Sequence, residues 1–126
     1  MCMSLEAREI DDLFELLSSQ PKRHFPLQGQ PLDASTMHGV YIIYRGDTVL
    51  HVGRTYRGKK GLHQRLYNHL HGSSSFTNDY LNGEGSILRK AEYSYQYLVL
   101  EDARKRALLE AYATGKLCPE HIGVGE

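Results

Sequence analysis

Residues 39–54, GVYIIYRGDTVLHVGR, decide the fold that this sequence predicts. Two runs rich in β-branched and aromatic residues, 39–45 and 49–54, flank the turn-forming pair Gly46-Asp47. This pattern is typical of two antiparallel strands joined in a hairpin. With a two-residue loop, Tyr41 would pair with Val52 and His51 with Ile42. Tyr41 and His51 would then point to opposite faces of the sheet.

The rest of the chain supplies one more strand and three helices. Residues 92–100 alternate between tyrosine or valine and polar residues, which predicts a third strand. Apolar or small side chains recur every three to four positions at 4–18, 62–70 and 102–116, which predicts helices. Residues 72–86 show no period and are expected to be loop with a helical turn. This order favours an α+β domain, a small three-stranded antiparallel sheet flanked by helices.

Length and composition bound the domain organisation. The 126 residues, 40% hydrophobic and 24% charged, suffice for one compact domain with its own core. Three prolines between positions 21 and 31 are typical of an extended linker. We therefore divide the chain into an N-terminal helix with a Pro-containing linker, 1–37, and a main domain, 38–126.

Two features concern the cellular setting. No apolar run approaches the ~18 residues that a membrane-spanning helix needs, and the acidic, amphipathic N-terminus differs from a signal peptide. Cys2 and Cys118 are too few for a disulfide framework. These observations predict a cytoplasmic protein in a reducing environment, with no membrane association.

Charge is balanced overall but unevenly placed. Fifteen Lys and Arg oppose fifteen Asp and Glu, which argues against binding of nucleic acid by bulk positive charge. However, residues 48–78 contain no acidic side chain. Such a stretch can attract a polyanion, although on charge alone a solvated loop is the simpler interpretation. Its basic residues are Arg54, Arg57, Lys59, Lys60 and Arg65.

Two predicted helices carry ionisable groups on faces that should be buried. His69 falls within the Leu62–Leu66–Leu70 stripe of its helix, and Arg65 lies one turn before it. Glu110 falls among the small residues of the last helix, where an unpaired charge would be costly. A core histidine and a buried Glu–Arg ion pair are the structural alternatives. Together, the inward groups suggest one shared site.

In order and spacing, these residues resemble the GIY-YIG nuclease family over about residues 38–122. The matching pieces are Gly39-Val40-Tyr41, His51-Val52-Gly53, Arg65 with His69 four residues later, and Glu110. Two departures are visible. His51 occupies a position where the family usually has tyrosine, and Pro119 is followed by Glu120, His121 and Ile122 where the family usually has an asparagine.

The resemblance implies a divalent-metal-dependent endonuclease that hydrolyses DNA phosphodiester bonds. Glu110 would hold a single Mg²⁺ or Mn²⁺, Arg65 would clamp the scissile phosphate, and Tyr41 would act as general base. Because a phenol is a weak base at neutral pH, His51 or His69 would assist Tyr41. The flanking DNA backbone would contact Arg54, Arg57, Lys59 and Lys60.

Other functions remain open from the sequence. The main alternative is a non-catalytic nucleic-acid-binding module of the same fold, and a further one is a scaffold whose inward polar groups are only buried pairs. A zinc site built from His63, His69, His71, Cys118 and His121 has little support, since only half of a motif is present. Because the chain has little length beyond the nuclease-like region, either the enzyme is weakly specific or it obtains cleavage specificity from a partner protein or a homodimer.

Strand register provides a direct structural test of the resemblance. A shared cleft requires Tyr41 and His51 on one face of the sheet, which a simple two-residue hairpin does not give. We therefore expect a shifted register with Tyr41 opposite His51, produced by a three-residue loop or by a bulge. Tyr41, His51, Arg65, His69 and Glu110 would then lie on one concave surface.

Overall fold

Three antiparallel strands form the centre of the structure, a computed structural model that describes residues 3–123. Strand β1 (Gly39–Arg45) lies in the middle, between β2 (Thr48–Arg54) on one side and β3 (Tyr93–Val99) on the other. β1 is buried from Gly39 to Tyr44, because helices cover both of its faces. The three predicted strands are confirmed, with bounds within two residues of the expected ones.

Three helices flank this sheet, as the sequence predicted: α1 (Leu5–Ser18), α2 (Gly61–His71) and α3 (Ala103–Leu117). The Ser4 hydroxyl caps α1 by accepting from the Ala7 N–H, and the Asp102 carboxylate caps α3 by accepting from the Lys105 N–H. Gly72, with a φ of +87°, ends α2 in the left-handed conformation. The fold is therefore α+β, as expected.

Between α2 and β3 the chain forms two short helical segments. Residues Phe76–Tyr80 make one π-helical turn, and Gly85–Arg89 make a 3₁₀ helix. The sequence predicted a loop with a helical turn here. The π turn matters for the site, because it places the buried Phe76 and Thr77 against the end of α2.

The residue pairs between β1 and β2 differ from the predicted ones. The hairpin has the two-residue Gly46-Asp47 loop, with Arg45 opposite Thr48. A bulge follows at Leu50, since Tyr44 pairs with Val49 and Ile43 pairs with His51. Tyr41 consequently lies opposite Gly53, so the predicted Tyr41–His51 pair is wrong. The bulge nevertheless brings His51 to the same face as Ile43 and Tyr41.

The sheet separates two hydrophobic layers. The first layer packs α2 and the two short helical segments against one face of β1, and the second packs α1 and α3 against the other. Alternate residues of β1 supply the two layers, with Tyr41 and Ile43 in the first and Val40, Ile42 and Tyr44 in the second.

Residues 21–38 follow α1 and run along β3 and the first layer. Arg23 makes an isolated antiparallel bridge with Tyr95 through two backbone hydrogen bonds of 2.7 and 2.8 Å. Phe25 and Leu32 are buried in the first layer. This predicted linker therefore contributes core side chains to the domain that it precedes.

No helix within residues 3–123 is long and apolar enough to cross a membrane. Cys118 is exposed with a free thiol, and Cys2 lies outside the described residues.

Candidate active site at the outer edge of the sheet

A cavity of about 540 Å³ opens beside β2, where the two layers meet at the sheet edge. β2 contributes His51 and Arg54, α2 of the first layer contributes Arg65, and α3 of the second layer contributes Glu110. Three of the five residues expected on one concave surface, His51, Arg65 and Glu110, thus line one cavity. The sheet edge is what allows groups from opposite layers to meet.

Tyr41 and His69 do not line this cavity, because both are fully buried behind its wall. The wall at this point is Gly53, which lies opposite Tyr41 in the sheet. A Cβ atom on Gly53 would lie 2.3 Å from the Tyr41 hydroxyl, far inside van der Waals contact. Glycine is therefore required here so that the hydroxyl can reach the back of the wall.

Hydrogen bonds indicate the tautomer of His69. The Thr77 hydroxyl donates to the His69 carbonyl, and the Ser74 hydroxyl donates to Thr77 Oγ1 at 3.2 Å. Ser74 Oγ lies 2.6 Å from His69 Nδ1 and therefore accepts from an Nδ1–H. His69 Nε2 then carries no proton and accepts from the Tyr41 hydroxyl at 2.5 Å. His69 is the neighbour able to receive the Tyr41 proton.

Burial sets the protonation states of these groups. Desolvation raises the pKa of Tyr41 above that of an ordinary phenol, although the nearby Arg65 charge and hydrogen bond act in the opposite direction. Desolvation also holds the pKa of His69 well below its usual value, and the His51 and Arg65 charges add to this effect. Tyr41 is therefore a neutral phenol and His69 a neutral imidazole at pH 7.

His51 lies between Tyr41 and the cavity. Its ring centroid is 6.1 Å from that of Tyr41 and 5.3 Å from that of His69. Desolvation, followed by the His121 and Arg65 charges, lowers the pKa of His51 to about 3. A neutral imidazole thus forms part of the cavity wall next to Arg65.

Glu110 is both a residue of the site and a member of an ion pair, which the sequence analysis left as alternatives. It lines the cavity, and its Oε1 lies 3.5 Å from Arg54 Nε in an ion pair whose side chains are 26% and 24% exposed, respectively. Desolvation raises the pKa of Glu110, whereas the Arg54 and Arg65 charges oppose that rise. The guanidinium of Arg54 also lies over the Tyr56 ring, 4.6 Å from its centroid.

The donor set suits one kind of metal ion. No group of three or more His, Cys, Asp or Glu side chains in residues 3–123 is arranged to hold a metal, and this includes the histidines and Cys118 considered for zinc. A single carboxylate facing an open cavity leaves room for water and phosphate oxygens. Mg²⁺ keeps several waters and prefers oxygen ligands, so Glu110 fits a singly anchored Mg²⁺ or Mn²⁺.

Sequence reasoning missed His121 as a member of the site. Its Nδ1 lies 3.1 Å from His51 Nδ1, and its Nε2 lies 3.8 Å from an Asp79 carboxylate oxygen. The tail is held on β2 at the bulge, where the His121 N–H donates to the Leu50 carbonyl at 2.9 Å. The departure from the family pattern after Pro119 was the available signal, but its meaning depends on the position of the bulge, which was not predicted.

Arg106, a buried residue of α3, was also missed. Its guanidinium donates to four backbone carbonyls, and so it joins the end of β2 to the β3–α3 connection. These carbonyls belong to Thr55, Tyr56, Leu100 and Glu101. Arg106 thereby fixes the start of the basic loop that follows Arg54.

A second cavity, of about 420 Å³, adjoins the first and shares Tyr56 and Arg65 with it. Its wall includes three of the four predicted nucleic-acid-binding cations, and the fourth, Arg54, lines the first cavity. The amide side chains of Gln64 and Asn68 complete this wall. The three cations are Arg57, Lys59 and Lys60.

Compared with known proteins, this chain matches no protein-family model and no curated protein.

Proposed function

We propose that this protein is a divalent-metal-dependent endonuclease of the GIY-YIG type that hydrolyses DNA phosphodiester bonds. One observation carries the proposal. Arg65 and Glu110, from helices on opposite sides of the sheet, line one cavity, and the Tyr41 hydroxyl lies against Gly53 directly behind its wall. A phosphate clamp, a carboxylate and a hydroxyl with a proton acceptor are the groups that this hydrolysis requires.

The cations favour a polyanionic substrate that extends beyond the reacting phosphate. Arg65 lines both cavities, so a phosphate bound to it would lie where they join. The neighbouring nucleotides would follow the second cavity past Arg57, Lys59 and Lys60. Phosphate contacts of this kind provide affinity without base recognition, which fits a chain that obtains its specificity from a partner or a homodimer.

In this proposal Glu110 is the residue that holds the metal ion. When bound, a divalent ion neutralises negative charge on the phosphate and stabilises the leaving oxygen. Arg65 adds two parallel hydrogen bonds to phosphate oxygens and so fixes the orientation of the scissile bond. His51 and Gly53 shape the adjacent wall.

Tyr41 and His69 would transfer the proton. Tyr41 takes a proton from the attacking water as its own hydroxyl proton passes to His69 Nε2, so that the phenol is restored and His69 becomes an imidazolium. The 2.5 Å contact and the Nδ1–H tautomer support this direction of transfer. Substrate binding would have to move part of this wall, because the Tyr41 oxygen has no exposed surface.

A specific observation also favours the second candidate, a non-catalytic nucleic-acid-binding module. Tyr41 and His69 have no exposed surface, and neither lines the cavity. Unless the wall in front of Tyr41 rearranges when nucleic acid binds, no water reaches the hydroxyl. The cations of both cavities would still bind the backbone.

Incubation with supercoiled plasmid and Mg²⁺ or Mn²⁺ distinguishes the two candidates. We expect nicked or linear product that disappears with chelator. Glu110→Gln should abolish cleavage with little change in DNA binding, and Glu101→Gln, an exposed carboxylate just before α3, is the matched control. Intact plasmid with the wild-type chain and retained DNA binding would favour the binding module.

Thermal unfolding of Glu110→Gln tests the remaining structural alternative. If the carboxylate served only to balance Arg54, its loss would lower stability by ~3–5 kcal/mol, as for a broken buried ion pair. Because both side chains are partly exposed, we expect a much smaller change. The proposal also includes a reducing, cytoplasmic setting, in keeping with the low cysteine content.

A further inference from the structure

We propose that Arg54 couples metal binding to nucleic-acid binding by occupying Glu110 until a phosphate arrives. The inference rests on the proposed function, since it concerns the carboxylate that would hold the metal. It adds an order of assembly, in which the free protein binds the metal weakly and the protein–DNA complex binds it well. Arg54 is in this respect a positioning residue and not a group that reacts.

The geometry holds the Arg54 guanidinium against the carboxylate. Its Nε lies 3.5 Å from Glu110 Oε1, and its planar face covers the Tyr56 ring at 4.6 Å. The backbone of Tyr56 is in turn fixed by the buried Arg106 guanidinium, which donates to the Tyr56 carbonyl. The Arg54 side chain, 24% exposed, therefore lies between the Tyr56 ring and Glu110.

A divalent cation on Glu110 would lie within a few ångströms of that guanidinium. Repulsion between the two cations is much stronger at a partly buried site than in bulk water, because less solvent screens it. Moreover, the oxygen that faces Arg54 Nε is one of only two that the carboxylate offers. Metal binding to the free protein thus has to displace a favourable charge contact and overcome an unfavourable one.

A phosphate in the cavity removes both obstacles. Arg54 lines the same cavity as Arg65 and His51, so its guanidinium can turn from the carboxylate to phosphate oxygens without leaving the site. The phosphate also brings the negative charge that the metal and the two arginines need. By linkage, if the phosphate raises metal affinity by some factor, the metal raises DNA affinity by the same factor.

Titration of Mn²⁺ into the full chain, with and without a short DNA duplex, tests the coupling. Free Mn²⁺ is followed by electron paramagnetic resonance, and a Tyr41→Phe background keeps the duplex intact. In this background we expect DNA to raise Mn²⁺ affinity by about tenfold, within the usual range of coupling between two sites. Arg54→Gln should raise Mn²⁺ affinity without DNA by a similar factor and reduce the enhancement to less than about threefold.

Two further variants separate this role from simple loss of a cation. Arg54→Lys keeps the positive charge and should retain most of the coupling. Arg57→Gln removes a cation from the second cavity, away from Glu110, and should weaken DNA binding without changing Mn²⁺ affinity in the free protein. Together, the two variants show whether the coupling depends on the positive charge beside the Glu110 carboxylate.

Equal Mn²⁺ affinity with and without DNA would overturn the inference, and so would an Arg54→Gln variant that matches its parent in both states. If Mn²⁺ still binds in those cases and Glu110→Gln removes that binding, the proposed nuclease function stands. If no Mn²⁺ binds even with DNA present, the metal assignment of Glu110 fails as well.

Discussion

The two layers on either side of the sheet differ in how deeply they bury titratable groups. In the first layer, Tyr41, His69 and Ser74 are buried in a continuous chain of hydrogen bonds. In the second layer, the two ion pairs between α1 and α3, Glu6–Arg104 and Glu9–Lys105, lie at the surface, and Asp11 accepts a hydrogen bond from the Tyr112 hydroxyl in a partly buried contact. One layer stabilises the fold mainly by apolar packing, whereas the other also buries groups that change charge.

Buried titratable groups make the first layer the part of the domain that is sensitive to changes in charge. A desolvated titratable group resists charging, and so it responds strongly to any neighbour that moves or binds. A solvated ion pair contributes little to the free energy of folding, so its loss changes stability little. Sensitivity to pH, to substitution and to ligands should accordingly be concentrated in the first layer and along the cavity edge.

Acidification should produce the largest contrast between the layers. An unfolded histidine binds a proton near its ordinary pKa of 6.5, whereas folded His51 does so only near 3 and folded His69 well below its usual value. Their contribution to stability is full above pH 6.5 and falls as the pH drops. We expect losses approaching ~1.4 kcal/mol per pH unit for each histidine, measured by urea unfolding between pH 7 and 5.

Two variants test whether the buried histidines cause this pH dependence of the free energy of unfolding. His69→Gln should remove about half of the excess pH dependence. His71→Gln, on the exposed side of the same helix, should leave the dependence unchanged. An equal slope in the wild type and His69→Gln would mean that the buried histidine is already protonated or solvated.

Gly53→Ala, in the wall behind which Tyr41 lies, should have the next largest effect. Because the new Cβ meets the Tyr41 hydroxyl at 2.3 Å, we expect a loss of ~1–3 kcal/mol from overpacking, together with a loss of cleavage. Gly115→Ala in α3 is the matched control, since a Cβ there meets nothing within 4 Å and alanine favours the helix. Thermal unfolding measures both, and equal midpoints would contradict the close approach of Tyr41 to the wall.

Tyr41→Phe should have a smaller effect on stability and a large one on cleavage. The change removes one hydrogen bond to His69 Nε2 with little change in shape, so we expect a loss of roughly 1 kcal/mol. Cleavage should fall by about 10²–10⁴-fold, the usual contribution of a general base. Nitrogen chemical shifts should show the His69 proton on Nδ1 in the wild type. A proton on Nε2 would reverse the proposed direction of transfer.

Glu6→Gln in the second layer should give the smallest effect. The bidentate Glu6–Arg104 contact, with two 2.9 Å hydrogen bonds, lies at the surface, where water and salt screen it. We expect no resolvable change in the thermal midpoint at 0.15 M salt and no change in cleavage. A marked loss of stability would show that the surface contacts between α1 and α3 hold the second layer together.

Local patterns were sufficient for the elements of the fold. Runs of β-branched and aromatic residues beside a turn predicted two strands, alternation predicted the third, and helical periodicity predicted the three helices. The same periodicity marked His69 and Glu110 as inward-facing. These features depend on residues near one another in the chain, which is why a single sequence reveals them.

Long-range contacts decided what the sequence did not reveal. The bulge at Leu50 is stabilised by the tail, whose Glu120 and His121 N–H groups bond to the Val49 and Leu50 carbonyls. Without that contact, neither the register nor the position of His121 follows from local rules. The burial of Tyr41 likewise depends on its cross-strand partner Gly53, which the predicted pairing had placed elsewhere.

The short segments bound to the two outer strands affect how this protein behaves at high concentration. An open strand edge presents unpaired N–H and C=O groups on which another chain can add a strand and begin to aggregate. Here Arg23 covers β3 at Tyr95, and the segment at Glu120 and His121 covers β2 at Val49 and Leu50. Both outer edges therefore carry a non-strand segment near the point where a foreign strand would pair, which opposes growth of the sheet into fibrils.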